Sequence, residues 1–106
     1  MAVVRFETPR LWRCCCDAAG MERAWDESCR RVVSRRIQQL QAMHSLAELE
    51  VMPFPAKKLS SGQTAVMVTD ERFFLIEEFH ESVDGKQMVI FLIRGIVHSK
   101  EVEEAA

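Results

Sequence analysis

The stretch TAVMVTDERFFLIEEFHESVDGKQMVIFLI, residues 64–93, decides the fold of this chain. Its apolar residues come in short runs rich in β-branched and aromatic side chains, separated by polar pairs that suit turns, and this predicts consecutive strands. Thr64 to Thr69 is the first, Asp70-Glu71 is the turn, and Arg72 to His80 is the second, with Phe73, Phe74, Leu75, Ile76 and Phe79 read as core. Asp84-Gly85 is a two-residue hairpin signal, because such turns need positive φ, which Gly adopts freely and Asp tolerates. Met88 to Ile93 is apolar at every position, as in a strand covered on both faces. The three strands make an antiparallel meander.

Upstream the period changes. From about Met21 to Met43 the apolar positions Trp25, Cys29, Val32, Val33, Ile37, Leu40 and Met43 recur every three or four residues, which predicts one helix with a buried stripe. Gly20 separates it from an earlier helical turn that holds the cysteines. Arg23, Arg30, Arg31, Arg35 and Arg36 fall mainly on the remaining faces, so the helix is read as basic outside and apolar inside. Ser45-Leu46-Ala47-Glu48 announces a second short helix, since Ser45 can cap and Glu48 can return the bond to the backbone. Pro53 and Pro55 end it, and Lys57-Lys58 to Gly62 reads as an extended connector. Ala2 to Phe6 suits a short strand that Pro9 stops. The C-terminal end, from about residue 99, is rich in glutamate and reads as a frayed, solvated tail.

A chain of 106 residues is one domain in size, and 48% apolar with 28% charged residues is a globular balance rather than a disordered one. No apolar run is long enough to span a bilayer and no secretory signal opens the chain, so a cytoplasmic protein is expected. Residues 1–60 hold ten Lys/Arg against seven Asp/Glu and residues 61–106 hold four against nine, so the charge is polarised within a net of −2. That net charge counts mildly against a general nucleic-acid binder. Cys14, Cys15 and Cys16 are adjacent and cannot converge on one metal or pair without strain, so they are expected to pack as small apolar groups in a reducing compartment. Glu77, Glu78, Glu81 and Asp84 read as a solvated hairpin edge. No metal or cofactor is expected.

The order strand, helix, helix, connector, three strands resembles the RelE/ParE toxin superfamily, most closely its HigB-like branch, over nearly the whole chain. The resemblance rests on RRVVSRRIQQLQAM at residues 30–43 running into SLAEL at 45–49, the connector with Lys57-Lys58-Leu59, and the strand ending in Thr69-Asp70. It continues through RFFLIEE at 72–78, the Asp84-Gly85 hairpin, and Val89 to Ile93 leading to His98. It implies an α+β fold in which an N-terminal short strand and a helical hairpin pack on a small antiparallel sheet, in the order β-α-α-β-β-β. It also implies the toxin of a type II toxin–antitoxin pair: in many members a ribonuclease that cuts mRNA, often on the ribosome, and is neutralised by a cognate antitoxin protein.

Cleavage of RNA by its 2′-hydroxyl needs a proton acceptor, a donor for the leaving oxygen, and positive groups where charge builds on the phosphate. By resemblance, Lys57 and Lys58 match the phosphate-contacting connector and His98 matches the histidine after the last strand. The arginine that usually follows the strand aromatic is Phe74 here, so Arg72 and Arg94 are the candidate substitutes. Arg30, Arg31, Arg35 and Arg36 are candidates for contacting RNA or an antitoxin. The missing arginine, together with the absence of tyrosine, leaves two alternatives open: a non-catalytic or degenerate toxin fold that binds a protein target, and an unrelated small α+β adaptor or binding module.

Overall fold

The computed structural model describes residues 2–105. Strand β1 (Ala2–Phe6) leads into helices α1 (Pro9–Cys16), α2 (Ala18–Ala24) and α3 (Glu27–Ala42), then a 3-10 helix (Leu46–Val51). Strands β2 (Ala56–Lys58), β3 (Thr64–Met67), β4 (Arg72–Val83) and β5 (Lys86–His98) follow, and α4 (Ser99–Ala105) closes the chain. The α+β class is as expected. The sheet has five strands in the order β1-β5-β4-β3-β2, and β1 runs parallel to β5 while every other pairing is antiparallel.

The β4–β5 hairpin is the spine. Asp84 and Gly85 both have positive φ, 50° and 75°, so the turn matches the right-handed twist of the strands it joins. Phe73 and Phe74 are adjacent and both buried, which is possible only because the sheet is covered on both faces. Phe74, Ile76, Phe91 and Ile93 pack against Val33, Ile37, Leu40 and Met43 of the helical layer. Phe73 joins Ala65, Leu59 and Val102 in a smaller cluster on the opposite face. Phe79, read as core, lies beyond both covers and is 42% exposed.

The helical segment differs from its prediction in two places. The stripe from Met21 to Met43 is not one helix: it breaks at Trp25, which is extended, and Asp26 caps a new start by accepting a hydrogen bond from the Cys29 amide at 2.8 Å. The Trp25 indole donates to the Cys14 carbonyl at 3.0 Å, which fixes the break against α1. Pro9 opens α1 instead of ending structure, because Thr8 caps it and proline has no amide proton to leave unpaired at the first helical position. Gly20 is required where α1 and α2 meet, since a Cβ there would lie 2.2 Å from the Arg13 carbonyl oxygen. Of the cysteine run only Cys15 is buried; its thiol pKa is pushed up to about 12 by burial and by its two neighbouring cysteines, and Cys16 faces solvent. The Ser45 and Glu48 capping box forms as the spacing predicts.

The frayed tail is a correction. Residues 99–105 form α4, whose Val102 is 4% exposed and seals the second core cluster over Leu59 and Phe73. The Ser99 amide donates to the Glu71 carbonyl at 2.9 Å, and the Ser60 amide and hydroxyl both donate to the Ala105 carbonyl. The glutamates mask this in the sequence because one buried valine and one alanine suffice to dock so short a helix. Val102→Ala should lower the unfolding free energy by about 2 kcal/mol through lost methyl burial and a residual cavity, measured by urea denaturation. A solvated tail would show no change.

Candidate functional site

The five residues proposed for catalysis fall in three places. Lys57 and Lys58 lie on the exposed edge strand β2, the segment read as a connector, and line a groove of about 540 Å³ between that edge and the 3-10 helix. Leu46 and Leu49 form part of its wall, and Glu50 and Glu78 bring negative charge into it. Arg72 and His98 are register partners at the far end of β4 and β5. Lys58 pairs with Thr64, which pairs with Ile76 on β4, four residues from Arg72 or about 13 Å along the strand. By register the two lysines lie about 10 to 13 Å from the Arg72–His98 pair along the strand direction, and two strands across the sheet from Arg72.

Arg94 stands apart from both. A bulge in β5 pairs Leu75 with Gly95 and Ile76 with Ile93, leaving Arg94 as the extra residue and re-aiming its side chain. Its guanidinium donates to Glu7 and to Glu77, each at 3.0 Å, and these carboxylates raise its pKa, Glu7 more than Glu77. The group is committed to linking Glu7, just after β1, to Glu77 of β4 across β5.

His98 is partly committed as well. The Lys100 amide donates to its Nδ1 at 3.2 Å, so the ring caps the start of α4. While that bond holds, the neutral ring carries its proton on Nε2 and offers a donor, not a base, to anything approaching from outside. Arg72 is exposed, with one bond from its guanidinium to the neighbouring Glu71 carbonyl at 3.3 Å. Together the pair can bind an anion, Arg72 by charge and the His98 Nε2–H as a hydrogen-bond donor; while Nδ1 holds the Lys100 amide, neither a proton acceptor for a 2′-hydroxyl nor a general acid for the leaving oxygen is part of it.

The arginines of α3 separate into two kinds. Arg36, expected on the outer face, is 8% exposed and belongs to the core side of the helix. Its Nε donates to the Met67 carbonyl and its Nη1 to Gln39 Oε1, each at 2.7 Å, and its guanidinium stacks 3.9 Å from the Phe54 ring centre. Burial, and then the charge of Arg35, lowers its pKa. The signal was present, since 33, 36, 37 and 40 are the i, i+3, i+4, i+7 positions of one helical stripe. Arg31 and Arg35 are exposed and Arg30 half-buried, with Arg31 in a 3.4 Å pair to Glu27 and Arg30 donating to the Trp25 carbonyl.

Glu78 is a structural group that the sequence reading placed on a solvated edge. It accepts from the Leu46 amide at 2.7 Å and contacts His80 Nε2 at 2.7 Å, tying the 3-10 helix to β4. Burial pushes its pKa up, but the Leu46 amide and His80 outweigh it, and the net shift is downward from 4.5. Among the described residues no three His, Cys, Asp or Glu side chains converge as a metal-ligand set, and no helix is long and apolar enough to cross a membrane.

Two stability tests follow from these contacts. Arg36→Lys keeps the charge but loses the planar fork that serves Met67, Gln39 and Phe54 at once, and should cost about 1–3 kcal/mol in chemical denaturation. Glu78, with a depressed folded pKa, contributes stability that is complete above its ordinary value of 4.5 and is lost as the pH falls through the lower folded value. Glu78→Gln should therefore be less stable than wild type at neutral pH and should show a shallower decline in unfolding free energy on the acid side, measured between about pH 2 and pH 7.

No family model, no curated protein and no solved structure matches this chain.

Proposed function

We propose that this chain is a toxin-type domain of the RelE/ParE kind, the toxin of a type II toxin–antitoxin pair, that acts by binding a macromolecular target instead of cutting RNA, and that a cognate antitoxin silences it. The reading rests on the sequence resemblance and on the α+β arrangement of a short strand and helices over one sheet face. What favours binding over cleavage is one observation: the candidate catalytic groups are dispersed, with Arg94 bound to Glu7 and Glu77 and the His98 ring capping α4. A ribonuclease needs a base, an acid and phosphate-binding cations within reach of one phosphodiester.

A second reading, an mRNA-cleaving toxin working on the ribosome, is favoured by the juxtaposition of Arg72 and His98 and by the open lysine edge at Lys57 and Lys58. There the 2′-oxygen would attack phosphorus while Arg72 held the phosphate, and the 5′-oxygen would leave with a proton from the His98 imidazolium, which becomes neutral; forming that imidazolium requires Nδ1 to give up the Lys100 amide. The base would have to come from outside the pair, for example from a ribosomal group.

Induced expression in a bacterial host separates the readings. Growth arrest with intact bulk mRNA, retained in an Arg72→Ala/His98→Ala variant, is the expected result for a binding toxin. Arrest with mRNA cleavage that the double variant loses would establish the ribonuclease instead. Normal growth at high expression would leave the chain as an adaptor or binding module unrelated to toxins.

A further inference from the structure

The break at Trp25 creates a feature that neither reading above uses. Because α2 and α3 are separate helices, a groove of about 730 Å³ runs between them. On the α2 side it is lined by the exposed Ala18 and the edge of the buried Met21; its α3 wall carries Arg30, Arg31, Arg35 and, between them, Ser34. Positions 30, 34 and 38, and 31 and 35, are spaced by four, so the polar heads form two adjacent rows along α3 that span about 12 Å of helix. Three arginines face one glutamate, Glu22, among the lining residues. The arginine stems extend the apolar strip begun by Ala18 while their heads rise to the rim.

Internal bonds leave most of this charge available. The Arg31–Glu27 pair is exposed on both sides, at 77%, and so contributes little. Arg30 uses only Nη1, on the Trp25 carbonyl. Arg35 is exposed and sits beside the buried Arg36 cation, so positive charge accumulates at this end of the wall without a described carboxylate against Arg35.

From these features we infer that the α2–α3 groove is the docking site of an acidic amphipathic helix, whose apolar stripe covers the exposed Ala18 methyl and the arginine stems and whose flanking carboxylates pair with Arg31 and Arg35. The charge complementarity selects an acidic partner, and the apolar strip made by the exposed Ala18 and the arginine stems selects a helix over a nucleic-acid backbone, which would leave that strip uncovered. The inference rests on the groove alone and holds whether or not the chain is a toxin.

The test uses the full chain and a fluorescent synthetic helix of about 18 residues with leucines at i, i+3, i+4 and i+7 and glutamates at the other positions. A peptide with every glutamate replaced by lysine is the comparator, and a single-stranded RNA of about 12 nucleotides is the rival ligand. In anisotropy titrations the acidic peptide should bind and the lysine peptide should not, and Arg31→Glu/Arg35→Glu should weaken the acidic peptide by about tenfold or more. Ala18→Lys should also weaken it, although it adds positive charge, because it interrupts the apolar strip. All of these substitutions are at exposed positions, and unchanged circular dichroism checks that the fold is kept. Equal binding of the two peptides, or no binding of either, overturns the inference. So does RNA binding that Ala18→Lys strengthens and the double glutamate variant abolishes, which would make the groove a nucleic-acid face. None of these outcomes depends on growth arrest, so failure here and failure of the toxin reading are distinguishable.

Discussion

The constraint on which the rest of this structure depends is that the β4–β5 ladder is apolar on both faces at once. Phe73 and Phe74 cannot share a face, and each is buried. One face is covered by the helical layer through Val33, Ile37, Leu40 and Met43. The other needs its own cover, and α4 supplies it with Val102 over Phe73 and Leu59. The terminal helix is thus a consequence of the strand pattern. Past the reach of α4 the second face opens, and polar bridges take over: Arg94 holds Glu7 and Glu77, and Arg5 lies 3.6 Å from Glu81.

That arrangement also determines what the cations are free to do. Arg36 and Arg94 carry charge into half-buried or buried positions and are held there by several acceptors each. For the buried Arg36, losing its acceptors would leave a desolvated charge unpaired, which is costly, while Arg94 is occupied by two carboxylates, so neither is free for a passing phosphate. Of the candidate site cations, those that remain exposed are Lys57 and Lys58 on the β2 edge, Arg72 at the start of β4, and Arg31 and Arg35 on α3. An open rim of cations beside an apolar strip suits recognition better than proton transfer, and this unites the proposed binding function with the groove between α2 and α3.

Much of the fold is legible in the sequence for local reasons. The Asp84-Gly85 turn, the Ser45/Glu48 capping box and the strand runs each rest on contacts within a few residues, where side-chain chemistry acts directly on the backbone. The break at Trp25 and Asp26 was written in the same local code, as an aspartate able to cap the Cys29 amide, but the apolar period running through it predicted continuity. Periodicity reports which residues face inward; it does not report whether the axis turns between them.

The chemistry was less legible than the fold. Arg36 and Arg94 have the same composition signal as Arg35 and Arg72, and only the position of Met67, Phe54, Glu7 and Glu77 in space separates committed arginines from open ones. By itself the sequence determined the α+β class, the hairpin and the caps, because these follow from dihedral preference and from the period of apolar residues. The tertiary structure decided that β1 pairs parallel with β5, that the acidic end of the chain docks as α4, and that the candidate catalytic groups are dispersed. Those outcomes depend on contacts between residues far apart in the chain, whose geometry is set by packing both faces of the sheet rather than by any local run of residues.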